Sequence, residues 1–138
     1  MYTKLLVIIF IALFVSIGSL GGCATKKKNQ TLSAFDQTTR LYGRLLRWRE
    51  YEGAVNMIRH KDESSVEVNL DEFKDLRVTD YEIKKVVMGE DLKTAEVEAD
   101  ISYYFETTNT VKNIRDTQSW WYLEEAEKWF LDDDLPAF

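Results

Sequence analysis

Residues 94–105, TAEVEADISYYF, alternate between polar and apolar side chains along almost their whole length. The even positions include Glu96, Glu98 and Asp100. The odd positions are all apolar or aromatic: Ala95, Val97, Ala99, Ile101, Tyr103 and Phe105. Because successive side chains of a strand point to opposite faces of a sheet, this stretch predicts a strand with one face in a core and the other in water.

The stretch before it, residues 78–88 (VTDYEIKKVVM), also has a period of two, and the turn-like GEDLK joins the two predicted strands. Aligning the apolar faces of the two strands sets Ile83 opposite Ala99 and Lys84 opposite Glu98. In that register Lys85 points toward the core, which is accounted for only if the strand bends or bulges there.

Two more strands are predicted downstream, at residues 111–123 (VKNIRDTQSWWYL) and 128–132 (KWFLD). Both faces of the third strand mix polar and apolar side chains. The tail carries three consecutive aspartates, but adjacent residues on an extended chain do not converge on one cation. No metal site is predicted there.

The segment before the strands has the period of a helix. From Ser33, which opens a capping-box-like start, to Trp48, apolar residues share one arc and the other carries a basic stripe of Arg40, Arg44 and Arg47. The stripe either faces a membrane or is a solvated helix face. Arg49 falls inside the apolar arc, so either the helix has ended there or the guanidinium enters the domain and pairs with a carboxylate.

A second short helix, YEGAVNMIR, and a further helical turn or irregular connection, NLDEFKDL, precede the strands. Helices followed by antiparallel strands predict an α+β domain over residues 33–138, with N-terminal helices packed on a curved antiparallel sheet of about four strands. The passages LLRWREYEGAV and SWWYLEEAEKWFL resemble the nuclear transport factor 2-like, or cystatin-like, superfamily. That resemblance implies a sheet wrapped into a cone around the helices; residues 60–77 fit it loosely.

The amino-terminal sequence predicts where the protein is located in the cell. A lysine precedes the apolar residues 5–20, and small residues follow, as in a secretory signal peptide. The sequence LGGC at 20–23 resembles the bacterial lipobox. This implies residues 1–22 as a lipoprotein signal peptide, cleavage between Gly22 and Cys23, a diacylglycerol on Cys23 and an acyl chain on the new amino terminus.

Residues 23–32 are then a lipidated tether that holds the domain to a membrane, with several acyl chains as a stable anchor. Ala24 follows the cysteine where an aspartate often marks inner-membrane retention, so the resemblance favours the outer membrane, facing the periplasm, in a host with two membranes. The lysines at 26–28 lie against anionic head groups or form a solvated spacer.

The charge balance argues against a nucleic-acid partner. The whole chain has a net charge of −6, and residues 29–138 hold 14 basic and 24 acidic side chains, a net charge of −10. Nucleic-acid affinity depends on basic side chains that neutralise phosphates.

The residue types argue against an enzyme. His60, the only histidine, follows a helix in a polar loop, where a solvated side chain is favoured over a general base. One histidine and one lipidated cysteine do not make a zinc site or a free thiol nucleophile, and no phosphate-binding loop or dinucleotide fingerprint is present. A Tyr/Asp acid–base pair stays open. No cofactor is predicted besides the covalent lipid on Cys23.

Two non-catalytic functions are predicted. The first is a protein-interaction module with an envelope protein partner. Alternation puts Tyr104 on the acidic face and turns Trp120 or Trp121 away from the core, so Tyr104 and Trp120 are interface candidates unless the helices or the tail cover them.

The second is a binder of a small apolar or anionic ligand in the cone cavity. Its lining candidates combine aromatic rings with two arginines: Tyr42, Trp48, Arg49, Tyr81, Tyr103, Arg115 and Trp121. The competing interpretation is that the aromatic side chains simply fill the cone.

Overall fold

The computed structural model describes residues 22–138, which belong to two units, Met1–Gln30 and Thr31–Phe138. The predicted signal peptide up to residue 21 and the side chain of Cys23 lie outside the described residues. Helix α1, Gly22–Arg47, begins well before the predicted start near Ser33. The predicted tether is therefore helical over residues 24–32, where nine residues rise about 14 Å instead of the roughly 30 Å of an extended chain.

The second unit has the predicted α+β architecture, which is thereby confirmed. After α1 come α2, Tyr51–Val55, and a 3₁₀ helix, Leu70–Phe73. Four strands follow: β1, Leu76–Met88; β2, Thr94–Phe105; β3, Lys112–Leu123; and β4, Lys128–Leu131. They form one curved antiparallel sheet in the order β1-β2-β3-β4, so each strand pairs with its neighbour in sequence.

Two β-bulges shape β1. Ile83 lies opposite Ala99 as predicted, but register shifts occur between Val78 and Asp80 and between Ile83 and Lys85. Each bulge adds one residue and exchanges the faces of the sheet for all that follow. Lys85, rather than Lys84, therefore lies opposite Glu98, and its ammonium points to solvent.

The helix packs on the sheet through one stripe of buried side chains. Phe35, Tyr42 and Leu46 are seven and four residues apart, which places them on one face of α1. The Phe35 ring lies 4.8 Å from that of Trp129, and the Tyr42 ring 5.5 Å from that of Trp120. These edge-on contacts join the helix to the later strands.

Gly43 brings α1 close to β1. A side-chain carbon at this position would lie 2.7 Å from Cε1 of Tyr81, closer than two carbons can approach. A glycine is therefore needed for the helix backbone to rest on the tyrosine ring.

The outer edge of β4 is covered by residues 57–59. The amide of Arg59 donates to the carbonyl of Leu131 at 2.9 Å, and the amide of Leu131 donates to the carbonyl of Met57 at 2.9 Å. His60 is half-buried beside them, with Nδ1 2.8 Å from the carbonyl oxygen of Asp132, so it is not the solvated loop side chain that the sequence favours.

No residue between 22 and 138 covers the outer edge of β1 in this way. Outside the four strands, the one backbone bridge among residues 22–138 is that between Ile58 and Leu131, at the opposite side of the sheet. The sheet therefore has one closed edge and one open edge.

Candidate functional site

A groove of about 660 Å³ lies between α1 and the strand of the open edge. Its helix wall carries three arginines and one aspartate, and its strand wall is mostly apolar with one glutamate. The helix and the residue after it contribute Phe35, Asp36, Thr39, Arg40, Gly43, Arg44, Arg47 and Trp48, and the strand contributes Tyr81, Glu82, Ile83 and Val86. The groove therefore combines cationic and apolar walls next to an unpaired strand.

The floor of the groove is held by a hydrogen-bond network that crosses the sheet. The hydroxyl of Tyr81 lies 3.1 Å from Oε1 and 3.0 Å from Nε2 of Gln118. The indole of Trp120 donates to Oε1 of Gln118 at 3.0 Å, and Nε2 of Gln118 donates to Asp116 at 2.7 Å. Burial raises the pKa of Tyr81, so the phenol stays protonated and serves as a fixed surface.

Two of the three arginines on the helix wall have no carboxylate partner among the described residues. Arg40 forms an ion pair with Asp36 at 2.9 Å. Within the part of the chain that the structure describes, no Asp or Glu oxygen lies within 4.0 Å of the guanidinium of Arg44 or Arg47. Both arginines are exposed and are free to bind an anion.

Apolar surface is exposed beside these charges. Trp48 is 70% exposed at the end of α1, and Val86 is 43% exposed on β1. Val86 reaches the groove because the second bulge turns it to the face that Val97 occupies on β2. Sequence periodicity predicts Val87 in that position, whereas the structure leaves Val87 on the solvent face.

The predicted pocket residues do not surround one cavity. Trp48 and Tyr81 line the groove, but Tyr42 and Tyr103 are buried in the core. Burial raises the pKa of Tyr42, and its hydroxyl has no hydrogen-bond partner among the described residues. The aromatic side chains at these two positions fill the interior, which corrects the predicted pocket.

The other predicted pocket residues point elsewhere. Arg49 lies just after the end of α1 in the left-handed region, at φ 64°, and its guanidinium donates to the carbonyl of Lys74 at 3.0 Å. Arg115 lies on the solvent face, where it binds Asp100 at 2.8 Å and lowers the pKa of that carboxyl. The indole of the half-buried Trp121 donates to the carbonyl of Arg59 at 2.7 Å.

The two predicted interface residues, Tyr104 and Trp120, differ in their exposure. Trp120 is 1% exposed and belongs to the core, so it is not available to a partner; Trp121 is the one that alternation turns outward. Tyr104 is half-buried on the solvent face of β2. The core face of β3 was difficult to predict because it carries Asp116 and Gln118, whose polar groups are bonded to each other.

A Tyr/Asp pair does exist in the interior. Burial raises the pKa of Asp116, and this carboxylate shares the Gln118 side chain with Tyr81. Asp116 does not line the groove. The pair thus supports the floor and is not placed to meet a molecule bound above it.

A second cavity of about 390 Å³ lies between the turn after β1 and the start of the tail. Its lining includes Lys61, whose ammonium is 3.6 Å from a carboxylate oxygen of Asp132. The positive charge of Lys61 is therefore already neutralised by Asp132, and the groove beside β1 is the better candidate for a binding site.

No protein family model, no curated protein and no solved structure matches this chain. Among the helices of residues 22–138, none has both the length and the apolar character needed to cross a bilayer. The same residues hold no cluster of three or more His, Cys, Asp or Glu side chains arranged around a metal position.

Proposed function

We propose that this protein is a lipid-anchored envelope protein that acts as a non-catalytic protein-interaction module and binds its partner in the groove between α1 and β1. The observation that carries this proposal is the combination, at one place, of an unpaired sheet edge, two arginines without acidic partners and an exposed tryptophan.

Each of these features is typical of protein recognition. An edge strand presents a row of unpaired backbone groups that another chain can pair with. Arginine and tryptophan are enriched in protein interfaces, where they bury large area and make directional hydrogen bonds. Arg44 and Arg47, in the last turn of α1, and Trp48, directly after it, supply both residue types.

The lipobox-like LGGC supports the proposed location of this module at a membrane. Acylation of Cys23 would keep the domain at a membrane surface, and the proposed surface is the outer membrane facing the periplasm in a host with two membranes. Anchoring restricts the partner search to one surface and so raises the effective concentration of envelope partners.

Site-specific photo-cross-linking in intact cells tests the proposal. A photoreactive residue at Val86 is expected to give a discrete adduct with an envelope protein, because Val86 lies in the groove. The same residue at Val111, which is 60% exposed but outside the groove, is the control. Equal adducts from both positions, or none from Val86, would refute a groove-specific partner.

The same experiment in a Cys23→Ser background tests the anchor. We expect that acylation and cleavage after Gly22 are lost and that the Val86 adduct falls sharply. Acylation that persists in this variant would refute the lipid attachment, independently of the result for the groove.

A small anionic ligand is the second candidate. A volume of about 660 Å³ lies in the range of small-molecule sites, and a groove with arginine and tryptophan suits an apolar anion. Native mass spectrometry of the purified protein separates the two candidates, since a bound small molecule adds a reproducible mass and a lost protein partner does not.

A further inference from the structure

The open edge of β1 defines which part of a partner could bind. The bulges at either side leave residues 80–83 as the regular part of that edge. An added strand would lie about 4.8 Å from β1, and its side chains would alternate between the groove and solvent. The regular length suits a short extended segment of about four paired residues.

The groove side of such a segment meets the basic wall of α1. Arg44 and Arg47 are one helical turn apart, so their Cβ atoms lie about 5–6 Å from each other. Alternate residues of a strand are separated by about 6.6 Å, a distance that two long guanidinium side chains match easily. Carboxylates at alternate positions would therefore neutralise both arginines, with their methylene groups against Ile83 and Val86.

The side of the same segment that faces solvent would lie beside negative charge on β1. Asp80 and Glu82 lie on the solvent face of β1, within the regular part of the edge. Glu82 is ion-paired with Lys84, whereas Asp80 has no cationic partner among the described residues. Like charges directly across a strand pair are destabilising. The outward positions of the partner must therefore be neutral or basic, and a uniformly acidic tract would not fit.

We infer that the groove binds an extended partner segment with acidic side chains at alternate positions, which adds as a fifth strand to β1 and places its carboxylates on Arg44 and Arg47. This inference rests on the proposed function and names the chemistry of the partner.

A second copy of the chain lacks this chemistry. On its own β1, the core-face side chains in the regular part of the edge are Tyr81 and Ile83, which carry no negative charge, and Glu82, which also borders the groove, is ion-paired with Lys84. A strand exchanged between two copies would leave Arg44 and Arg47 without carboxylates.

Peptide binding to the full-length lipoprotein in detergent tests the inference. The probe is a fluorescent peptide of alternating glutamate and threonine, compared with a peptide of the same composition whose glutamates are contiguous. We expect the alternating peptide to bind at least about tenfold more tightly, since only it can place all its carboxylates on one face. Equal affinity for both peptides would overturn strand addition.

Charge reversal tests the two arginines. The double variant Arg44→Glu/Arg47→Glu should weaken binding of the alternating peptide by about tenfold or more. Lys112→Glu/Lys128→Glu makes the same change in net charge at exposed positions outside the groove, and should leave the affinity within about twofold. Equal losses of affinity in both variants would mean that the peptide responds only to the net charge of the protein, and would overturn the proposed binding site.

Hydrogen exchange gives a readout that ion binding alone would not change. Amides within residues 80–83 should exchange more slowly when the alternating peptide is bound, because a strand pair engages the outward backbone groups. Unchanged exchange there would overturn the fifth strand. Dimerisation in place of peptide binding would assign the groove to a second copy and overturn the inference. Binding to anionic vesicles that depends on Arg44 and Arg47 and is stronger than peptide binding would assign the groove to lipid and overturn it too.

The inference and the proposed function fail separately. If Val86 cross-links to an envelope protein but the alternating peptide does not bind, the acidic strand is wrong and the interaction module stands. If the peptide binds but Val86 gives no adduct in cells, the groove recognises the chemistry and the proposed envelope function is wrong.

Discussion

The two edges of the sheet are protected in different ways. The β4 edge is four residues long and is covered by residues 57–59, whereas the β1 edge belongs to a strand of 13 residues and is open. Bulges at 78–80 and 83–85 leave only residues 80–83 of β1 as a regular template for another strand. The β4 edge is thus closed by backbone pairing, whereas the β1 edge is open but accepts only a short strand. This arrangement is expected if the β1 edge binds a partner.

The two edges also differ in what they contribute to stability. The closed edge is part of the core: Trp129 and Leu131 are buried, and the indole of Trp129 donates to the carbonyl of Thr31 at 3.0 Å. At the open edge, Trp48 and Val86 remain largely exposed. Side chains at the closed edge therefore serve folding, and those at the open edge are available for binding.

The largest expected effect comes from a matched pair of tryptophan substitutions. Trp129→Ala should lower the free energy of unfolding by about 3–5 kcal/mol, because it removes a buried ring and an indole hydrogen bond. Trp48→Ala should change it by no more than about 0.5 kcal/mol. Urea denaturation measures both, and similar losses would show that the two edges do not differ in this way.

A smaller effect is expected where α1 rests on β1. An exposed Gly→Ala change within a helix normally stabilises by about 1 kcal/mol, but Gly43→Ala should destabilise by about 1–3 kcal/mol because its methyl group overlaps the Tyr81 ring. Gly53→Ala in α2 is the control, since its methyl group would meet only the flexible tip of Leu45 at 3.2 Å. Thermal unfolding compares the two, and a stabilised Gly43→Ala variant would contradict the close contact.

The smallest effect concerns the hydroxyl that ties β1 to β3. Tyr81→Phe should cost about 1 kcal/mol at neutral pH, because Gln118 keeps its bonds to Trp120 and Asp116. Burial raises the folded-state pKa of Tyr81, so above its ordinary value of 10.0 the unfolded chain loses this proton first and stability falls as pH rises.

The Tyr81→Phe variant should therefore show a shallower loss of stability above pH 10.0 than the unchanged protein. Urea denaturation at neutral and alkaline pH measures both slopes. Identical slopes would mean that the tyrosine at the open edge ionises as freely in the folded protein as in the unfolded chain.

Much of the sheet could be predicted from residues 94–105. Their alternation predicts the bounds of β2, and matching its apolar face predicts the pairing of Ile83 with Ala99. The inward lysine at 85 indicates the second bulge. The first bulge leaves no such signal, because Thr79 is polar and fits either face, and the start of α1 is hidden because residues 24–30 carry no apolar stripe.

The candidate site could be predicted only in its parts. The basic stripe of Arg44 and Arg47 is visible in the sequence, and Trp48 and Tyr81 are among the predicted lining residues. That the stripe lies beside β1 depends on the contact between Gly43 and Tyr81, which joins elements far apart in sequence and leaves no periodic pattern. The predicted pocket failed because helix and sheet side chains fill the space between them.

The late position of the closed edge in the chain has a consequence for folding. The sheet itself is built from neighbouring strands, whereas Trp129 and Thr31 are 98 positions apart and His60 and Asp132 are 72 apart. Local hairpins form early, and contacts across long loops wait for the entropy of loop closure to be overcome. Because β4 follows β1, β2 and β3 in the chain, the β3 edge stays without its partner until residues 128–131 can pair with it.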